Sequence, residues 1–148
     1  MRSHRALTRQ IIRPIYDTAP TVQDSFFTWI AALEGLDKQQ HGDKISLRKR
    51  LERLAGNAWA SVESLVGDGD AVERWSKRMV KLRNNIGHGD PVPLHQSAAE
   101  LYEMSDVAYW LFVLNLLVLA DVPAAVYNHL TTTALRFALL RKHVRRHF

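Results

Sequence analysis

The sequence predicts an all-α protein built as a bundle of about five helices. Apolar residues recur at alternating spacings of three and four along most of the chain, which is typical of helices that bury one face. No segment has the alternating pattern of a half-buried strand, and no internal repeat is present. With 148 residues, 47% hydrophobic and 24% charged, the chain has the size and composition of one soluble domain with a single core.

Residues 1–20 are predicted to be a basic arm or linker, and residues 21–148 the helical domain. The arm carries four arginines and two prolines, at Arg2, Arg5, Arg9, Arg13, Pro14 and Pro20. It contains no apolar stretch of the kind that a secretory signal requires. The whole chain has a formal charge of +5, which favours polyanionic partners, and no cysteine, which excludes disulfides and thiolate-held metals. A cytoplasmic location is expected.

The first helix is predicted from Thr21 to about Gln40. Thr21 is a favourable N-cap, and Asp24 stands three residues later, as in a capping box. The expected buried stripe consists of Val22, Phe26, Trp29, Ile30, Leu33 and Leu36.

The second helix is predicted to follow a loop at residues 41–44 and to reach Leu65, with Ser46 as its N-cap. Its outer side is expected to carry a dense run of cations, Arg48, Lys49, Arg50 and Arg53. Such a run is either an ordinary solvated face or, beside a phosphodiester site, a surface that follows an RNA backbone.

The third helix is predicted to follow a turn at residues 67–70 and to end at Gly87. Its buried stripe is expected at Val72, Trp75, Met79, Leu82 and Ile86. Gly87 can adopt the left-handed conformation that closes a helix, and Gly89 and Pro91 oppose its continuation.

This predicted helix end determines how Arg83 and His88 lie relative to each other. On one continuous helix they would point about 140° apart, whereas a break at Gly87 lets His88 return towards Arg83. An arginine beside a histidine, a residue type that titrates near neutral pH, suits chemistry on a phosphodiester. Alternatively, these cations only complement the negative end of the helix dipole.

A fourth helix is predicted from about Gln96 to Val122, and a fifth begins near Asp121 and Pro123 and runs into the basic residues 141–147. The apolar run at 107–120 falls short of the ~20 residues needed to cross a bilayer. A buried core helix is therefore predicted, with a membrane span as the alternative, and no membrane contact is expected.

The segment Arg83-Asn84-Asn85-Ile86-Gly87-His88 resembles the HEPN motif, in which an arginine is followed by four to six residues and a histidine. Together with Leu82, Gly89-Asp90 and an earlier Ala32-Leu33-Glu34, it resembles the Apea-like HEPN group in particular. The resemblance implies an HEPN-like bundle and a metal-independent endoribonuclease that leaves a 2′,3′-cyclic phosphate. It also implies a role in bacterial defence or toxin–antitoxin function, with no cofactor.

The resemblance implies that Arg83 and His88 are catalytic, with His88 as acid or base and Arg83 holding phosphate oxygens. A single pair is sparse for the whole reaction, and the resemblance implies a homodimer in which two pairs face one cleft and supply both acid and base. Asn84 would position a phosphate or link the motif across the dimer, and Glu34 would orient Arg83; otherwise both are surface residues.

The expected partners are RNA, a second copy of the chain, and an antitoxin or a fused sensor domain. Arg48, Lys49 and Lys81 are the predicted RNA contacts. A competing hypothesis is a non-catalytic HEPN module that binds RNA, nucleotide or a partner protein. An accessory interaction domain cut from a larger protein is a third.

Overall fold

The structure, a computed structural model, describes residues 21–88 and 94–147, except for the side chains of residues 94–97. These ranges contain seven helices and no strand, which confirms the predicted all-α class. The helices are α1 (Val22–His41), α2 (Leu47–Asn57), α3 (Trp59–Leu65), α4 (Gly69–His88), α5 (Leu94–Leu119), α6 (Ala124–Thr133) and α7 (Leu135–Val144). The predicted basic arm, 1–20, lies outside the described residues.

The starts of α1 and α2 are fixed by local side-chain caps, as the sequence predicted. Thr21 Oγ1 accepts a hydrogen bond from the Asp24 N–H at 3.1 Å, and Asp24 Oδ2 accepts one from the Thr21 N–H at 3.2 Å. This reciprocal pair completes a capping box. Ser46 Oγ accepts from the Lys49 N–H at 3.4 Å. Helix α1 ends at Gly42, which is left-handed with φ 67°.

The core is centred on the packing of α1 against α5, with α4 packed against α2. Aromatic rings join the first pair, because Trp29 meets Tyr109 edge-on with ring centroids 5.0 Å apart. The predicted stripe of α4 is buried at Val72, Trp75, Met79 and Leu82, and half-buried at Ile86. The periodicity of the sequence therefore identified the inner face of the helix that carries the candidate motif.

Two predicted helices are each divided in the structure. The second breaks at Ala58 (φ −124°, ψ 41°), and the last breaks at Ala134, where the backbone is extended with ψ 121°. The first break turns α3 towards α6, where Ser61 Oγ donates to Asn128 Oδ1 at 2.7 Å. The prediction of about five helices was therefore two short of the number found in the described ranges.

Among the described residues, one helical segment, Ala98–Leu119, is long and apolar enough to cross a bilayer by length and composition. Half of its most apolar window is buried inside the bundle, as expected for a core helix. Its buried Asn115 side chain donates to the carbonyls of Leu54 at 3.1 Å and Leu111 at 2.9 Å. Residues 107–115 thus contribute largely to the core, whereas Leu116 and Leu119 are exposed.

Candidate functional site

The candidate site lies on the last two turns of α4. This helix continues through Gly87 to His88, so the predicted break at Gly87 is wrong. The described glycines with positive φ are Gly42 and Gly67. Helix α1 packs close to Gly87, because a Cβ built there would lie 3.7 Å from the Phe27 ring. This packing supports the helical backbone. Gly89 and Pro91 lie outside the described residues.

Because α4 is continuous, Arg83 and His88 do not converge within one chain. Their separation of five positions turns them about 140° apart and places them roughly 7.5 Å apart along the helix axis. The predicted return of His88 over Arg83 is therefore wrong. Both side chains are exposed, and they leave α4 towards different sides.

The polar groups of the motif are open to solvent. Arg83 Nη1 donates a long hydrogen bond of 3.4 Å to the exposed Asn84 Oδ1. Within residues 21–88 and 94–147, neither Arg83 nor His88 forms a salt bridge with a carboxylate. Their donors are therefore available to an anionic ligand or to a second protein chain.

Glu34 was predicted to orient Arg83, but the half-buried Glu34 side chain does not contact it. Its Oε1 forms an ion pair of 2.8 Å with Lys38 Nζ, one turn further along α1. A lysine four residues after a glutamate on the same helix is within easy reach, which accounts for this pairing.

The predicted RNA contacts differ in how open they are. Lys49 and Lys81 are exposed. The Arg48 guanidinium instead donates to Glu52 Oε1 at 2.8 Å and reaches Glu73 Oε1 at 3.5 Å. Its charge is thus partly neutralised by two carboxylates.

Two members of the predicted outer cationic run face inward. Arg50 is only 3% exposed, and its Nη1 donates to the fully buried Asp37 at 2.6 Å. Arg53 donates to both Asp37, at 2.6 Å, and Asp43, at 2.8 Å. The run is therefore not one solvated face, because a buried carboxylate on α1 requires cationic partners.

The charge network also shifts the titration of its carboxyls. Burial of Asp37 opposes its ionisation, but hydrogen bonds from Arg53 and Arg50 outweigh burial and hold its pKa below the ordinary value. The hydrogen bond from Arg53 lowers the pKa of Asp43 to about 2. Sequence reasoning missed this cluster, although Asp37 follows Phe26, Ile30 and Leu33 on the inner stripe of α1, a position at which a carboxylate needs a buried partner.

The described residues thus form a helical bundle in which α4 ends with an exposed arginine and an exposed histidine. The Apea-like HEPN family model matches residues 17–125, a range that contains α1 to α5 and the whole Arg83–His88 motif. The chain therefore belongs to the Apea-like HEPN family. No curated protein and no solved structure matches it.

Proposed function

We propose that this protein is a metal-independent HEPN-type endoribonuclease that cleaves RNA through a 2′,3′-cyclic phosphate. The observation that supports this most is the open end of α4, where Arg83 and His88 are exposed and, among the described residues, unpaired with acids. Other arginines of the bundle, such as Arg50 and Arg78, are held by carboxylates. A guanidinium and an imidazole left open on one helix end are suited to an anionic substrate.

Histidine and arginine side chains are sufficient for the proton transfers and the charge stabilisation that this cleavage requires. A neutral His88 accepts the proton of a 2′-hydroxyl while the 2′-oxygen attacks the adjacent phosphorus. The bond from phosphorus to the 5′-oxygen then breaks, and a second, protonated His88 gives its proton to that leaving oxygen. The Arg83 guanidinium stabilises the charge that develops on the non-bridging oxygens.

A second copy of the chain is required because one α4 cannot supply this set. It carries a single His88, which cannot be both base and acid in one step, and its Arg83 points about 140° away. We propose a homodimer in which two such helix ends share one cleft. Two-fold symmetry would then provide two histidines and two arginines. Asn84, which accepts from Arg83, would position a phosphate or join the two motifs.

The first test is incubation of wild type, Arg83→Ala and His88→Ala with total cellular RNA in EDTA, with the new ends mapped by sequencing. Wild type is expected to leave cyclic phosphate ends, and each substitution to reduce cleavage by about 100-fold or more. Both residues are exposed, so helical content should not change. Loss of wild-type cleavage in EDTA, restored by a divalent ion, would contradict the metal-free mechanism.

The shared cleft is tested with isolated heterodimers that carry different tags on their two chains. A dimer of one wild-type chain and one His88→Ala chain has lost one of the two histidines that the reaction needs. Its activity should be as low as that of a dimer in which both chains carry His88→Ala. Half of the wild-type activity would show that each chain acts alone, and the shared cleft would be abandoned.

A non-catalytic RNA-binding module is the second candidate, favoured by the divergence of Arg83 and His88 within one chain. It predicts that the dimeric protein binds RNA without producing new ends under any of these conditions.

As a cytoplasmic ribonuclease that acts on the cell's own RNA, the protein would need restraint by an antitoxin or a fused sensor domain. We place it in bacterial defence or toxin–antitoxin function on this ground and on its family. Expression of wild type should arrest growth, and expression of His88→Ala should not.

A further inference from the structure

The solvent side of α4 carries a line of polar residues that ends at the motif. They recur at spacings of three and four, so they share one face of the helix: Arg74, Lys77, Lys81, Asn84 and His88. All five are exposed, and the line is roughly 21 Å long at the rise of an α-helix. We call it the α4 track. Arg83 points to a different side of the helix.

The charges of Lys77 and Lys81 in the α4 track are available to a ligand. Lys81 forms no salt bridge in the part of the chain that the structure describes, and its side chain is exposed. Lys77 pairs with Glu73 at 2.7 Å, but the two side chains are 55% and 47% exposed. A pair as open as this contributes at most about 1 kcal/mol, so a phosphate can take the place of the carboxylate.

On the other faces of α4, Arg78 and Ser76 are bound by side chains of neighbouring helices. Arg78 is held by Glu100, with Nη2 and Oε2 2.6 Å apart, and Ser76 is buried against Glu52, with Oγ and Oε1 2.8 Å apart. Arg78 is thus committed to a partner within the fold. The cations of the α4 track are the ones that a passing polyanion would meet before it reaches His88.

A single strand of RNA fits this surface better than a duplex. The track is one straight line on a convex helix, and it can follow one backbone by charge. Attack by a 2′-hydroxyl also requires a nucleotide that can rotate to bring this oxygen opposite the leaving oxygen, which unstacked, single-stranded RNA allows.

We propose that the α4 track binds the phosphates next to the scissile one, so that a single strand of RNA runs along α4 and reaches the cleft at His88. This inference rests on the proposed function and adds the path of the substrate. It keeps Lys81 as an RNA contact, adds Lys77 and Arg74, and gives Arg48, which two carboxylates hold on α2, no part in binding.

The test measures binding separately from cleavage. A short, fluorescently labelled 2′-O-methyl oligouridine cannot be cleaved, because its attacking hydroxyl is blocked. Its anisotropy is titrated with wild type, with Lys77→Ala/Lys81→Ala and with Lys38→Ala at several salt concentrations. Lys38 is a close match for Lys77, because it is 56% exposed and pairs with a glutamate four residues away, but it lies on α1.

The double variant should bind about tenfold more weakly at low salt, and the slope of log K against log salt should fall by about 1.4, because two phosphate contacts are lost. Lys38→Ala should leave both quantities unchanged. The proposal is overturned if the double variant binds as wild type does, or if Lys38→Ala weakens binding equally.

This outcome is independent of the cleavage assay. Normal binding by the double variant, together with cleavage by wild type, would reject the α4 track and leave the ribonuclease standing. Weakened binding by the double variant, together with no cleavage by wild type, would support the α4 track as an RNA-binding surface and reject the ribonuclease.

Discussion

Arginine has two distinct roles in this protein, and burial decides between them. Arg50 is 3% exposed and donates to Asp37, which is fully buried, whereas the exposed Arg83 makes, among the described residues, only a long bond to its neighbour Asn84. A buried charge without a partner is very costly, so the first arginine is part of the fold. An exposed charge without a partner costs little, so Arg83 is available for a ligand.

Replacing Asp37 with asparagine should destabilise the protein by about 3–5 kcal/mol, because the buried Arg50 would keep only the more distant carboxylate of Asp43, 3.8 Å away and shared with Arg53. Urea unfolding followed by circular dichroism measures the effect. Glu34→Gln is the control, since its partly exposed pair with Lys38 should contribute less than about 1 kcal/mol. Equal, small effects of both substitutions would show that the Asp37 pair does not stabilise the bundle.

The same network predicts how stability depends on acid. The pKa of Asp37 is lower in the folded protein than its ordinary value of 3.8, and that of Asp43 falls to about 2. A carboxyl with a lowered pKa contributes stability that is complete above its unfolded pKa and is lost as the pH falls towards the folded one. The urea midpoint should therefore drop between about pH 4 and pH 2. In Asp43→Asn this drop should be smaller, and an identical drop would contradict the role of Asp43.

The sequence did not distinguish these arginines because all of them stand in similar local surroundings. Arg48, Arg50 and Arg53 belong to one run on α2, and only the position of Asp37 and Asp43, on α1 and the loop after it, separates them. Local composition gives the charge of such a run. Which of its arginines are buried depends on how α2 packs against α1 and the loop after it.

At the level of the helices, Gly87 is the residue whose conformation matters most for the site. Glycine is compatible both with a helix interior and with a left-handed end, so the sequence allowed either. The structure selects the helical conformation, with Phe27 packed nearby. The orientation of His88 relative to Arg83 follows from that choice.

Gly87→Ala should accordingly raise stability by about 0.5–1 kcal/mol, because alanine favours the helix and its Cβ would make an ordinary contact of 3.7 Å with Phe27. Gly42→Ala is the matched control at a helix end with φ 67°, and it should lose about 1–2 kcal/mol. Thermal unfolding of both variants measures this. Destabilisation by Gly87→Ala of the same size would mean that α4 ends at Gly87 after all.

The starts of α1 and α2 were predicted correctly, whereas the cap expected at Asp121 and the breaks within helices were not. Thr21 and Ser46 bind the N–H groups of their own first turns, so the sequence contains the whole interaction. Ala58 and Ala134 have side chains that favour a helix, yet the chain bends at both. These bends bring α3 against α6 and α7, and such contacts between distant segments override local preference.

At the level of the whole molecule, the sequence indicated the family and the motif, but not how Arg83 and His88 lie relative to each other. The match over residues 17–125 shows the family, and this range contains Arg83 to His88. Their divergence about one continuous α4 became evident only in the structure. The arrangement that would join them involves a second chain, whose position no single sequence encodes.

The proposed dimer predicts that activity depends on protein concentration. Well below the dissociation constant of the dimer, the cleavage rate should rise with the square of the protein concentration, and above it the rise should be linear. Sedimentation velocity over the same range should show the dimer forming where the order changes. A monomer that cleaves at a rate linear in concentration throughout would contradict the shared cleft.

The contacts that enclose α3 come from far along the chain, and this bears on the order of folding. Ser61 binds Asn128, 67 positions later, and Arg145 donates to the carbonyl of Glu63 across 82 positions. The Asp37–Arg50 bond spans only 13 positions. Closing a long loop costs more entropy than closing a short one, so we expect the α1–α2 pair to form early and α3 to be enclosed late. On the ribosome, the end of α4 with Arg83 and His88 would thus be synthesised before α3 can be covered.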